Sequence, residues 1–573
     1  MNSNFFLTRI RIVSFGIVFL AVIFTIRLFF VQVIHNNDYL DQADKNYVTS
    51  SSEVFDRGMI FFKKRDGGLV SAATIVAGFK LTLNPSRIVD ANALYTALSP
   101  IVPLKRESFD SRVENRRDTY ADFPDRLTKE QADQISALKL PGVQVIKKKW
   151  RFYPGGSLAA HALGFVGFKG DDYSGRYGLE RFYNDVLSRK KDSLYLNPFA
   201  EVFSNIKHTL FTNTTREGDI QITIDPLVQG YVEKTLSGIE DKWHPDLAGA
   251  IIMDPKTGRI YAMAVSPTYD PNDFSKISNP LKFADPFVEN VFEFGSVIKP
   301  LVMSAALDAG VVTPQTTYTD HGSLVIKDKT ISNFDKRGRG PNTTMQTVLD
   351  QSLNTGMVFT MQRLGKEKFK EYMLAYKIGE KTAVDLPNET TGLISNLKTM
   401  GDVEYANASF GQGIALTPVA VMRAFAVLAN GGYLVTPHLV ESISYPDGTS
   451  KKIEHSVDMT HPLLKPETTR TIATMLTHVV DTAMGNGKYK MEHYTIAAKT
   501  GTAQVAREDG KGYYDDRNMH SLFGFYPATN PQFLVLYFVT YPKGAQYAIE
   551  SLGDPFFNTA KFLLTYYEVP PDR

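Results

Sequence analysis

The sequence predicts an α/β (α+β) chain: one N-terminal membrane helix, a mixed α/β domain, and then a domain built on a sheet flanked by helices. Three observations carry this. Ile12 to Ile34 is apolar apart from Arg27. Residues 51–225 alternate helix and strand signals without a catalytic motif. From Leu227 onward, strand signals give way to a long helical block and then return, the pattern of one sheet assembled from both ends of a segment. The division is a cytoplasmic tail at 1–11, a transmembrane anchor at 12–34, an N-terminal domain at 35–225 and a C-terminal domain at 226–573.

At 1.5 Å per residue, about 20 residues cross a bilayer, so 12–34 is long enough. Arg27 lies towards one end of the span, where its side chain can snorkel to the interface. Arg9 and Arg11 precede the span while Asp38 and Asp41 follow it, which puts the N-terminus in the cytoplasm and the rest outside. Gln32 to Asn37 offers no small-residue cleavage site, so the segment reads as a retained single anchor rather than a signal peptide. The helix is expected to continue through 38–50. In the next domain, Arg106 to Arg126 is dense in charge and reads as a solvated loop or exposed helix. Thr128 and Gln131 form a capping-box pair opening a helix through Leu138. Gly142 to Phe152 alternates as a strand does.

In the C-terminal domain, Ala250–Met253 is a buried strand, Asp254 to Gly258 a turn, and Arg259 to Val265 the returning strand. One helix is marked at both ends, by Thr417 as N-cap before Pro418 and by Asn430-Gly431-Gly432 as the stop. Strands return at Thr495–Lys499, Leu522–Tyr526 and Phe533–Thr540, and a helix from about Asp554 to Tyr567 ends the chain.

Composition removes several chemistries. With no cysteine, disulfides, thiolate metal sites and a cysteine nucleophile are excluded. A net charge of +2 argues against a nucleic-acid partner held by bulk charge. The histidines show no zinc-ligand spacing, and neither a phosphate-binding loop, a dinucleotide fingerprint nor a Gly-x-Ser-x-Gly elbow occurs. No metal or organic cofactor is called for.

Three short motifs remain, in order, within 226–573. In Ser296-Val297-Ile298-Lys299, a serine and a lysine three apart share a helix face, and a neutral amine can take the proton of a hydroxyl nucleophile. The lysine must then be discharged by burial or by another cation. Free N–H groups at a helix start can hold an oxyanion. Taken alone the motif is weak, because Ser136, Ser188, Ser204 and Ser395 also open an S-x-x-K. Ser296 differs in heading an apolar helix. In Ser352-Leu353-Asn354, a hydroxyl can relay a proton and an amide can hold a peptide carbonyl, although an ordinary helix-end turn reads as well. In Lys499-Thr500-Gly501-Thr502, a cation and two hydroxyls at a strand end could hold a carboxylate, Gly501 could let an extended peptide approach, and the Thr502 N–H could complete an oxyanion hole with that of Ser296. A strand ending in a glycine turn is the plainer alternative.

The ordered triple is that of penicillin-binding proteins and serine β-lactamases. The wider sequence resembles the class B penicillin-binding proteins, the monofunctional peptidoglycan D,D-transpeptidases. Arg57-Gly58-Met59-Ile60 with Gly67-Gly68 resembles the family's "RGxI…G". Arg151-Phe152-Tyr153-Pro154 with Ala160-His161-Ala162-Leu163-Gly164 resembles "RxYP…AAHxLG". Tyr177-Gly178-Leu179-Glu180 with Tyr183-Asn184, Gly411-Gln412-Gly413, and Lys499 to Gln504 also fit. Glu293-x-Gly-Ser-x-x-Lys-Pro resembles the cell-division (septal) branch. Phe294, Leu353 and Ala498 depart from the usual Pro, Ser and Gly, which bears on substrate fit and antibiotic affinity rather than on the chemistry.

The resemblance implies a pedestal (dimerisation-like) domain followed by a transpeptidase domain. It implies that Ser296, Lys299 and Ser352 are catalytic and that Asn354, Lys499, Thr500, Gly501 and Thr502 bind substrate. The substrates are peptidoglycan stem peptides, a D-Ala-D-Ala donor and an amine acceptor, with β-lactams as covalent inhibitors. Arg57, Arg151, Gly164 and Glu180 are implied to be conformational. A SEDS-type glycan polymerase and division proteins are the implied partners. The rivals are a membrane-anchored D,D-carboxypeptidase or β-lactamase using the same motifs, and a non-catalytic β-lactam sensor or divisome scaffold.

Overall fold

Both ends of the C-terminal region supply the sheet that carries the site. In this computed structural model, β1 (Leu247–Met253) and β2 (Ile260–Ser266) come from its beginning. β3 (Ala497–Ala506), β4 (Tyr513–Tyr526) and β5 (Phe533–Thr540) come from its end. Their order across the sheet is β3-β4-β5-β1-β2, with every neighbouring pair antiparallel. Consecutive residues of β5 from Phe533 to Val539 are buried, so both faces of the central strand are covered. β3 is left at one edge, and this is where the motif residues gather.

The described residues are 19, 20, 22–24, 56–169, 172–189, 217–399, 401–455, 457–507 and 512–573. Apart from the five helical residues 19, 20 and 22–24, the predicted anchor at 12–34 lies outside them, as does the helix expected at 38–50. Among the described residues no helix is long and apolar enough to cross a membrane.

Of the described residues, 19, 20, 22–24, Asp56 and Ile75–Trp150 group as one compact unit, and Arg57–Thr74, Arg151–Arg189 and residues from 217 onward as another. In the smaller unit, residues 79–83 of the strand Leu69–Leu83 pair antiparallel with the strand Ala121–Leu127. The capping box forms as expected: Gln131 N donates to Thr128 Oγ1 at 3.2 Å, Thr128 N donates to Gln131 Oε1 at 2.9 Å, and the helix runs Lys129–Ala137. The charged stretch 106–126 is neither all loop nor all exposed. Arg106–Val113 is a helix whose Phe109 and Val113, one turn apart, sink into the core, and its far end is the strand Ala121–Leu127. Two apolar residues at i and i+4 outweigh the charges around them because the charged side chains can still reach water.

In the larger unit, the strand Ile60–Lys63 pairs antiparallel with residues 69–73 and parallel with Asp219–Ile222. Nearby, Glu180 is fully buried and accepts from Arg57 Nε at 2.6 Å, from Arg151 Nε at 2.5 Å and from the Tyr153 hydroxyl at 3.2 Å.

Five helices matter for the site. They are α1 (Pro226–Trp243), α2 (Lys299–Asp308), α3 (Asn354–Leu364), α4 (Pro418–Ala429) and α5 (Ala548–Tyr566). α4 begins as read, with Ala420 N donating to Thr417 Oγ1 at 3.3 Å, and all of its residues are buried, as a helix apolar on every face requires. Its one cation, Arg423, donates to the carbonyls of Lys377, Lys381 and Glu380 at 2.6, 2.7 and 2.8 Å. α5 starts six residues before the expected Asp554. Pro555 lies inside it, and the start is held by Tyr547 N donating to Glu550 Oε2 at 3.0 Å.

Candidate active site

Ser296 lies on one 3₁₀ turn, Gly295–Ile298, that runs directly into α2. Gly295 has φ +62°, a conformation that glycine adopts without cost. The turn sits against the edge strand: a Cβ on Gly501 would lie 2.5 Å from Phe294 O and 3.2 Å from Val297 Cγ1. Gly501 is therefore needed for close approach of the Ser296 turn, a role beside the one the sequence reading gave it, of letting an extended peptide lie against the strand edge. Ser521 Oγ, on β4, donates to Phe294 O at 3.0 Å and pins the same turn.

Lys299, the first residue of α2, is completely buried. Its amine does not bond to Ser296, as expected from the i, i+3 spacing. It reaches Ser352 O at 2.6 Å, Asn354 Oδ1 at 2.8 Å and Ser352 Oγ at 3.1 Å. Lys499, 2 % exposed on β3, donates to the same Ser352 Oγ at 3.0 Å and to Thr500 O at 2.9 Å. One hydroxyl thus bridges two buried amines. If Lys299 is neutral, the chain of bonds is consistent: Lys499 donates to Ser352 Oγ, and Ser352 donates to the lone pair of Lys299. Both amines are driven in that direction. Lys299 is held well below its ordinary value by burial and then by the charge of Lys499. Burial lowers Lys499 to about 7, against the pull of the Asp350 carboxylate.

The bridge is held rigidly. Ser352 has φ +53°, the left-handed region, a strained state for a serine that the surroundings must enforce. Behind it, Thr355 Oγ1 donates to Asp320 Oδ1 at 2.8 Å, Thr355 N donates to Asn333 Oδ1 at 3.2 Å, and Asn354 Nδ2 donates to Ser332 O at 2.9 Å. The three departures from the family pattern are packing choices. Phe294 is buried edge-on to Phe292 and Phe538. Leu353 is buried in the core. Ala498 is paired with Gly524 on β4, where a Cβ would lie 2.8 Å from that of Ala498.

Ser296, Ser352, Asn354, Thr500 and Thr502 line one cleft of about 300 Å³. Ala548 N, at the start of α5, donates to Thr502 Oγ1 at 3.2 Å. Thus of the eight predicted residues, five share the cleft, Lys299 and Lys499 meet beneath it at Ser352, and Gly501 supports the turn. Ser296 Oγ makes no hydrogen bond to another described residue. Sequence reasoning did not find Phe334, Phe410, Tyr547 and Ile549, which also line the cleft. Phe334 is 65 % exposed and meets Tyr547 edge-on at 5.9 Å. No periodic pattern marks either ring, because their proximity arises only in the fold.

Residues 248–560 match the penicillin-binding protein transpeptidase domain family, and residues 56–198 match the penicillin-binding protein dimerisation domain family. The chain is 30 % identical over 539 residues to Stage V sporulation protein D of Bacillus subtilis, covering 93 % of this chain and 81 % of that protein. It is 25 % identical over 571 residues to peptidoglycan D,D-transpeptidase FtsI of Buchnera aphidicola subsp. Schizaphis graminum, covering 97 % and 95 %. The fold is that of penicillin-binding protein 3 from Mycobacterium tuberculosis, solved with aztreonam. That likeness has a TM-score of 0.68 at 22 % identity and covers 91 % of this chain and 98 % of the other. The transpeptidase match covers more than half of the sequence, and with the dimerisation match preceding it the chain belongs to the penicillin-binding protein family, as a class B member.

Proposed function

We propose that this chain is a serine D,D-transpeptidase that cross-links peptidoglycan stem peptides through an acyl-enzyme on Ser296, in septal wall synthesis. The observation that supports it most is the pair of buried amines, Lys299 and Lys499, on the Ser352 hydroxyl beside the Ser296 turn. Lys499, Thr500 and Thr502 hold the terminal carboxylate of the donor, and Asn354 its peptide carbonyl. The Ser296 hydroxyl loses its proton to Lys299 and its oxygen attacks the penultimate carbonyl. The N–H groups of Ser296 and Thr502 hold the oxyanion, each worth about 3 kcal/mol. As the C–N bond breaks, the proton passes through Ser352 to the departing amine of D-alanine. An amine from a neighbouring stem then attacks the ester and frees Ser296. β-Lactams acylate the same oxygen.

The same reading assigns 12–34 as the single membrane anchor with its N-terminus in the cytoplasm, 35–225 as the pedestal and 226–573 as the transpeptidase domain. It gives the pedestal and anchor a SEDS-type glycan polymerase and division proteins as partners. A fluorescent penicillin labels the wild type stoichiometrically, and Ser296→Ala abolishes the labelling. A folded wild type that stays unlabelled overturns the assignment, and sustained nitrocefin turnover moves it to a β-lactamase.

A further inference from the structure

A second cavity of about 300 Å³ adjoins the Ser296 cleft, sharing Ser352 and Thr500 with it. Lys499 lines this second cavity and not the first. Asp350 lines it too, at the end of the helix Met345–Asp350 and two residues before Ser352. Asp350 Oδ1 accepts from Gln346 Nε2 at 2.9 Å and from His478 Nδ1 at 3.0 Å. Asp350 Oδ2 accepts from no described residue and keeps some exposed surface. The remaining charge on this wall, Arg339, is answered by Asp335 at 2.9 Å and by Gln351 Oε1 at 2.6 Å. The Thr500 hydroxyl makes no hydrogen bond to another described residue. The cavity therefore offers one cation with a hydroxyl, one carboxylate oxygen without a partner, and an apolar side at Val479, Ala483 and Met484.

We infer that this cavity is a subsite for a small amino-acid zwitterion, with its carboxylate on Lys499 and Thr500 and its ammonium on Asp350, and that it receives the alanine released by acylation. The inference rests on the transpeptidase reading for the source of the ligand. The chemistry connects the two spaces. When the donor C–N bond breaks, the carbonyl carbon stays on Ser296 Oγ and the nitrogen leaves with the proton carried by Ser352. The product keeps its carboxylate, which the donor already placed near Lys499 and Thr500. Its new amine takes a second proton from water and becomes an ammonium, a group the donor's amide nitrogen never was. Asp350 is the acid that recognises this change. A subsite that binds the product and not the amide draws the leaving group away from the ester, leaving the Ser296 cleft free for the acceptor amine.

Calorimetry on the full chain in detergent, with D-alanine and D-lactate as probes, tests this directly. The two share a carboxylate and differ at the ammonium. D-Alanine is expected to bind about tenfold or more tightly than D-lactate, the contribution of one charge-assisted contact. The preference is expected to shrink to within about twofold in Asp350→Asn, which keeps the side chain's size. It is expected to persist in Ser296→Ala. Equal binding of the two probes to the wild type overturns the inference without recourse to any variant, as does a preference that survives Asp350→Asn. Penicillin labelling is read on the same samples: its failure removes the transpeptidase reading and the product as ligand, while the calorimetric comparison still decides whether the zwitterion site exists.

Discussion

Two clusters of buried charge lie in the larger unit, and they are built on opposite rules. At Glu180, two arginines converge on one carboxylate, and the Glu180 backbone carbonyl takes a further bond from Arg57 at 2.7 Å. Burial pushes that carboxyl up, but Arg151 and Arg57 together pull it below its ordinary value. At Ser352, two lysines of like charge share one hydroxyl, and the pull of Asp350 on Lys499 does not offset burial. The first arrangement answers the cost of desolvation with opposite charge. The second leaves that cost standing, and it appears as a lysine with its lone pair available. A buried carboxylate answered by cations fixes conformation; buried amines that meet at a hydroxyl rather than a carboxylate are poised for proton transfer.

The comparison breaks most sharply at Lys299. Lys299→Met removes the proposed base, and penicillin labelling is expected to fall by about 10³-fold, within the range of general base catalysis. Its thermal midpoint is expected to fall by less than that of Glu180→Gln, because it removes a discharged amine rather than a carboxylate shared by two guanidiniums. Glu180→Gln leaves Arg57 and Arg151 buried against a neutral amide, and about 3–5 kcal/mol of stability is expected to be lost in chemical denaturation. Labelling per folded molecule should stay within about twofold of wild type, since no Glu180 contact reaches the cleft. A Glu180→Gln protein that folds normally but does not label would place the cluster in the chemistry and remove the contrast.

How far the sequence reveals these regions follows from whether the signal is local. The helix at 418–429 is legible because cap, proline and stop all lie within or directly beside it, between Thr417 and Gly432. β4 is legible only over its last five residues: Tyr513 to Asn518 are polar, and only pairing with β3 makes them a strand. The motif triple comes together in the fold, and its three segments meet at one oxygen, Ser352 Oγ, which both Lys299 and Lys499 reach. What it misses is who bonds to whom. Spacing puts Lys299 beside Ser296, whereas tertiary packing delivers its amine to Ser352 and Asn354, a contact across more than fifty residues. Asp350 carries a faint local signal, an acid directly after the apolar pair Val348-Leu349 and two residues before Ser352. The Phe334–Tyr547 contact carries none.

A pH series separates the clusters with smaller effects. Lys499 in the folded chain titrates at about 7 against 10.5 ordinarily, so between these values the unfolded chain holds a proton that the folded chain lacks. Stability then rises with pH across that window, and Lys299, also held well below its ordinary value by burial, acts in the same direction. Glu180 acts at the other end. Its folded value lies below 4.5, so its stabilisation is present above that point and is lost as pH falls through the acid range. Denaturation of the wild type minus Lys499→Met is expected to change between pH 7 and 10, and the wild type minus Glu180→Gln only below about pH 5. Labelling is expected to decline as pH rises through about 7, where Lys499 loses the charge that holds the carboxylate.

The finest test removes one oxygen from the Glu180 cluster. The Tyr153 hydroxyl donates to Glu180 Oε1 at 3.2 Å, an oxygen that Arg151 already approaches at 2.5 Å. Tyr153→Phe keeps the buried ring and deletes only the weaker of these two bonds. Because the carboxylate retains both guanidinium partners, no charge is left unpaired, and the loss should be that of an ordinary hydrogen bond, about 1 kcal/mol. Chemical denaturation reads this directly. A loss as large as that of Glu180→Gln would mean that the hydroxyl, rather than the paired arginines, keeps the carboxylate buried, and the rule drawn from the two clusters would then be wrong for the one that seemed simpler.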